Sequence, residues 1–193
     1  FCYSQRKRES SGLWSVLRSS EDEVLKGSLL ITLYENLRWK TISPQGFREE
    51  MLAYLPNESN SLLFSMALSY LGDCQRIFPS DSRPLEQVLW KIVTTNPVSQ
   101  HRLQAFRLYR SIADSEEAVQ RLYTLWQERK APKDCTLSES DYIGLSYMLA
   151  MHLPEKADKI IATQLSRIQN PDRKKEYQFI SPSVSPRKAE RDS

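Results

Sequence analysis

Apolar residues recur at i, i+3, i+4 and i+7 along most of this 193-residue chain, whereas sustained alternation with period two is nowhere present. Such a stripe buries only when the segment is helical, so the pattern predicts an all-α protein. Punctuation between stripes supports this. Ser43-Pro44, Pro84, Asn96-Pro97, Pro154 and Asn170-Pro171 stand where helices open or close, and Ser138 with Asp141 starts a further helix. Capping-box spacing places a reciprocal cap at Ser20 with Glu23, before a first helix from about Glu21 to Trp39, and another at Asp114 with Glu117. Only five glycines are present, which argues against a strand-and-turn protein and against a phosphate-cradling loop.

Helix starts fall near residues 21, 44, 60, 84, 99, 115, 139, 155, 171 and 186. Steps of about 15 to 24 residues with short polar turns suit antiparallel neighbours stacked side by side. The expected architecture is an irregular αα-superhelix of about eight to ten helices, with helix pairs of the HEAT/armadillo kind. No tetratricopeptide or ankyrin consensus is found, and a compact helical bundle is the structural alternative. Residues 1–20 read as a linker or N-terminal edge, and 21–193 as the helical domain.

Composition excludes several classes. Hydrophobic residues at 40% and charged residues at 26% describe an ordinary folded domain. The longest uncharged apolar run, Gly27 to Tyr34, is far below the ~20 residues of a membrane span, so no membrane is expected as a partner. Of the net charge of +3, the ends carry the surplus: residues 21–171 hold 17 basic against 19 acidic side chains. A nucleic-acid binder concentrates basic charge on its folded body, so no nucleic-acid partner is expected. The basic cluster Arg6-Lys7-Arg8 reads as solvated linker.

Catalytic motifs are missing. Cys2, Cys74 and Cys135 are odd in number and widely spaced, which suits free thiols rather than a disulfide framework or zinc ribbon. His101 and His152 lie far apart, and neither has the i+4 partner of a zinc-binding helix. His152 continues an apolar stripe and reads as packed or hydrogen-bonded; His101, beside Gln100 and Arg102, reads as solvent exposed. No Gly-x-Ser-x-Gly is present, and acidic pairs such as Glu49-Glu50 fall on helical first turns or exposed faces. No catalytic or metal residue is assigned. Of Tyr34, Trp39, Tyr70, Trp90, Tyr109, Trp126 and Tyr142, most are expected in the core, with one or two on a concave face able to grip a peptide.

The later sequence carries longer strings: Leu153-Pro154-Glu155-Lys156-Ala157-Asp158, then Gln164-Leu165-Ser166-Arg167-Ile168-Gln169-Asn170-Pro171-Asp172-Arg173, then Phe179-Ile180-Ser181-Pro182-Ser183-Val184-Ser185, and Arg191-Asp192-Ser193. Their order and spacing resemble the C-terminal helical domain of the aminopeptidase N family of zinc aminopeptidases, in a bacterial branch. Tyr34-Glu35-Asn36 is similar to part of an early helix of that domain. The close resemblance covers about 40 residues.

The resemblance implies a longer parent whose thermolysin-like domain holds zinc and removes N-terminal residues from peptides. This chain would be the helical lid that limits access to the substrate cavity and lines it, stopping short of the domain's end. Neither the His-Glu-x-x-His helix nor the Gly-x-Met-Glu-Asn loop occurs here, so the chain is expected to hold no zinc and to be inactive alone. Its partners would be the parent's catalytic domain and peptide substrate, in a bacterial cytoplasm or periplasm. Arg173 and Arg191 are the candidate residues at the cavity or domain interface. The alternative is a stand-alone helical-repeat scaffold that binds a protein or peptide.

Overall fold

A computed structural model describes residues 2–184, with side chains from Arg8 onward. Those residues form ten α-helices and no strand: α1 (Cys2–Ser19), α2 (Glu23–Arg38), α3 (Pro44–Tyr54), α4 (Ser61–Ile77), α5 (Arg83–Thr95), α6 (Ser99–Ile112), α7 (Glu116–Glu128), α8 (Glu139–His152), α9 (Ala157–Arg167) and α10 (Pro171–Ile180). The all-α expectation is therefore met. Short 3₁₀ turns at Leu55–Asn57, Pro154–Lys156 and Ser181–Ser183 finish or introduce helices. The helix expected after Ser185-Pro186 lies outside the described residues. No described helix is long and apolar enough to cross a membrane.

The chain divides into two compact units between Ile112 and Ala113. In the first, α2 buries Leu29, Leu30, Leu33 and Leu37 as one stripe. Its cap is Asp22, whose carboxylate accepts from the amides of Val24 and Leu25, and not Ser20. The reason is that α1 runs to Ser19, which leaves only three residues to turn the chain. Ser20 instead accepts from the Asp22 amide at 3.1 Å.

Alternate helices of this unit run parallel and in register. A Cβ on Gly27 would meet Leu63 at 3.7 Å, and Tyr34 stacks on Tyr70 at 4.2 Å, both pairs thirty-six residues apart. The same offset joins α4 to α6, where Gly72 meets Leu108 and Phe64 stacks on His101 one residue further on. At Gly72 a Cβ would lie 3.0 Å from Leu108 Cδ1, so the absence of a side chain sets how near the two helices come.

Within residues 1–20, expected as a linker or N-terminal edge, Cys2–Ser19 form α1. Trp14 and Leu17 are buried, and the Trp14 ring stands edge-on to Phe47 with centroids 5.7 Å apart. Two buried residues spaced i, i+3 hold this helix, a stripe too thin to stand out against the polar residues around it.

In the second unit, Ser115 caps α7 by accepting from the Ala118 amide, one residue later than the expected Asp114. Ser138 and Asp141, expected to start a helix, make a reciprocal cap at the start of α8. Arg129 ends α7 in the left-handed conformation and donates its amide to the carbonyls of Leu125 and Trp126. Tyr177 of α10 is buried against α8, with its hydroxyl 3.0 Å from Ser146 Oγ and its ring stacked on Tyr147 at 5.1 Å.

Candidate functional site

The stretch from Arg167 to Arg173 forms a joint between helices. Arg167, at the end of α9, lays its guanidinium over the Trp126 ring at 4.8 Å. It also donates to the carbonyls of Trp126 at 2.7 Å and Gln127 at 2.9 Å, capping the open end of α7. Asn170 caps α10 by accepting from the amides of Asp172 and Arg173, with Pro171 at the first helical position. Glu139, in the first turn of α8, accepts from the Gln169 amide at 3.1 Å and from Arg173 at 3.4 Å. Those donors, the Gln169 amide first, hold the Glu139 carboxyl below its usual range.

Arg173 thus ties α10 to α8, with its side chain 45% exposed. Arg191 lies outside the described residues. Of the seven aromatic residues expected mostly in the core, Tyr109 and Trp126 are buried, while Tyr34, Tyr70, Trp90 and Tyr142 are half-buried. Trp39 is 81% exposed.

Of the two histidines, His101 departs from expectation. His101, read as exposed, is fully buried: its ring stacks on Phe64 at 4.1 Å, and Nε2 lies 3.1 Å from Ser61 Oγ. It opens the stripe that continues through Ala105, Phe106 and Tyr109, and a polar residue at the start of a stripe looks exposed in sequence. His152 is exposed; its Nδ1 lies 2.9 Å from the Met148 carbonyl and its Nε2 3.5 Å from Asp114.

Burial pushes the His101 imidazole below its ordinary pKa, against a smaller upward pull from Glu58. The folded chain therefore holds the neutral ring, while the unfolded chain takes up a proton below about pH 6.5. Stability is expected to fall as pH drops through that value towards the depressed folded pKa. Urea titrations from pH 7 to 5 check this: His101→Phe should flatten the dependence, and an unchanged slope sinks the assignment.

Cys74 is buried, and burial pushes its thiol up although Arg48 opposes the shift. Cys135 is half-buried. No group of three or more His, Cys, Asp or Glu side chains able to hold a metal is found among the described residues.

A cavity of about 450 Å³ opens in the first unit between α1, the α2–α3 turn and α3. The turn has a strong local basis. Trp39 closes α2, Lys40 takes a left-handed φ of 57°, and the Thr41 amide and hydroxyl both donate to the Asn36 carbonyl at 2.9 Å. Ser43 then caps α3 by accepting from the Gly46 amide at 3.0 Å. A Cβ on Gly46 would sit 2.9 Å from Ser43 Oγ, so glycine suits this close approach. Trp14 and Ile42 give the lining a buried apolar part, and Lys40, Glu49 and Glu50 supply its charges.

Sequence reading passed over this site because Glu49-Glu50 looks like an ordinary helix face. The available signal was Trp14 and Leu17, which make α1 a wall. No family model, curated protein or solved structure matches the chain.

Proposed function

We propose that this chain is a helical domain of a zinc aminopeptidase of the aminopeptidase N family, limiting access to the peptide cavity and lining it. The observation that carries the reading is the resemblance of the string from Arg167 to Arg173. Its support from the fold is that each polar residue of that string with a defined contact joins or caps helices, which is how an architectural signature behaves. Chemistry would then belong to a domain beyond this chain, and Arg173 would act through the position of α10. The parallel, in-register helices of the first unit support the αα-superhelix that such a domain needs.

The test uses the whole protein that contains this chain. With zinc it is expected to hydrolyse leucyl-7-amido-4-methylcoumarin, to leave the N-acetylated analogue intact and to lose activity to a chelator. A whole protein with no His-Glu-x-x-His segment and no chelator-sensitive hydrolysis overturns the reading. In the second reading, a scaffold that binds a peptide or protein, the exposed Trp39 (81%) or Phe179 (87%) would supply an apolar contact. That reading predicts binding without hydrolysis, weakened by Trp39→Ala or Phe179→Ala.

A further inference from the structure

We propose that the cavity bounded by α1, the α2–α3 turn and α3 binds a small zwitterion, an amino acid or short peptide with a free ammonium and a free carboxylate. Its volume of about 450 Å³ is that of a small-molecule site. Most of its polar lining is already committed. The Ser11 hydroxyl donates to the Arg8 carbonyl, the Thr41 hydroxyl to the Asn36 carbonyl, and Ser43 Oγ receives the Gly46 amide. Glu50 is paired with Arg18.

Two charged groups remain available. Among the described residues Lys40 makes no ion pair, and Glu49 accepts one hydrogen bond, from Gln45 at 2.9 Å, and makes no ion pair. A ligand with only an anionic group would meet Glu49 uncompensated, and one with only a cationic group would meet Lys40. A zwitterion answers both, its ammonium on Glu49 and its carboxylate on Lys40, with its side chain against the apolar part formed by Trp14 and Ile42. Both charged groups are exposed, so each contributes modestly and affinity should be on the order of millimolar. The inference does not rest on the peptidase reading.

The experiment follows the Trp14 indole and Gly46 amide resonances of the protein while L-leucyl-L-phenylalanine is added. The expected result is a saturable shift at both, weakened about two- to fivefold by Glu49→Gln and by Lys40→Gly. N-acetyl-L-leucyl-L-phenylalanine amide, which lacks both charges, should be weakened likewise. Lys40→Gly suits the left-handed backbone, and both side chains are exposed, so amide spectra that superpose away from the site report an intact fold. The proposal is overturned by the absence of a saturable shift up to about ten times millimolar concentration. Equal binding of the blocked dipeptide, or weakening by only one of the two variants, also overturns it, the latter marking a site for one charge alone.

Discussion

Glu58→Ala is expected to cost the first unit about 3–5 kcal/mol, the range for removing one partner of a buried ion pair. Glu58 and Lys26 are joined at 2.7 Å with side chains only 3% and 15% exposed. The Tyr54 hydroxyl donates to the same carboxylate, as does the Asn60 amide at 3.3 Å. Deleting the carboxylate strands the Lys26 ammonium and the Tyr54 hydroxyl in a site with little water. The pair is not equally valuable in itself, since its attraction repays the desolvation of both charges. Lys26→Met combined with Glu58→Gln should therefore recover a large part of the loss. Urea unfolding of Lys26→Met, Glu58→Gln and the double variant measures the coupling. Additive losses would mean that the two groups do not act together.

The same cluster has a signed pH dependence. Burial alone would push the Glu58 carboxyl up, but bonds from Lys26, Tyr54 and the Asn60 amide carry it below its ordinary value. Its contribution is fully present above the unfolded pKa, near 4.3, and is lost as pH falls through the lower folded value. His101 weakens the same unit at a higher pH, so acid should act in two steps, and His101→Phe should remove only the first.

Trp126→Ala should cost the second unit about 3–5 kcal/mol, the range for large-to-small truncation of a buried aromatic residue. Trp126 is 2% exposed, and its indole N–H donates to Gln164 Oε1 at 2.8 Å. Gln164 is itself buried, so truncation leaves its amide oxygen without that donor as well as opening a cavity. It also removes the surface on which Arg167 rests. Trp39→Ala, at an 81% exposed side chain, should change stability by no more than about 0.5 kcal/mol. Thermal or urea unfolding compares the two, and similar losses would contradict the burial assigned to them.

Most of the helix inventory was legible because it rests on local chemistry. A stripe at 3.6-residue spacing, a proline at a first helical position and a capping serine or asparagine act within one or two turns, so Ser43, Ser138 and Asn170 could be placed without tertiary information. Competing caps within a few residues are decided by where the preceding element stops, which is why Asp22 and Ser115 displaced Ser20 and Asp114. Arg173 was legible only as part of an unusual string; its bond to Glu139, thirty-four residues earlier, was not.

The sequence by itself determined that the chain is helical, roughly where its helices begin and end, and that it carries none of the catalytic motifs sought. Tertiary structure alone decided that α1 packs through Trp14 and Leu17, that His101 is buried while Trp39 is exposed, and that α1 and the α2–α3 turn enclose a cavity. The reason is physical. Helix formation draws on hydrogen bonds and caps a few residues apart, whereas burial depends on which distant face arrives, and a thirty-six-residue register such as Tyr34 on Tyr70 leaves no mark in either helix alone.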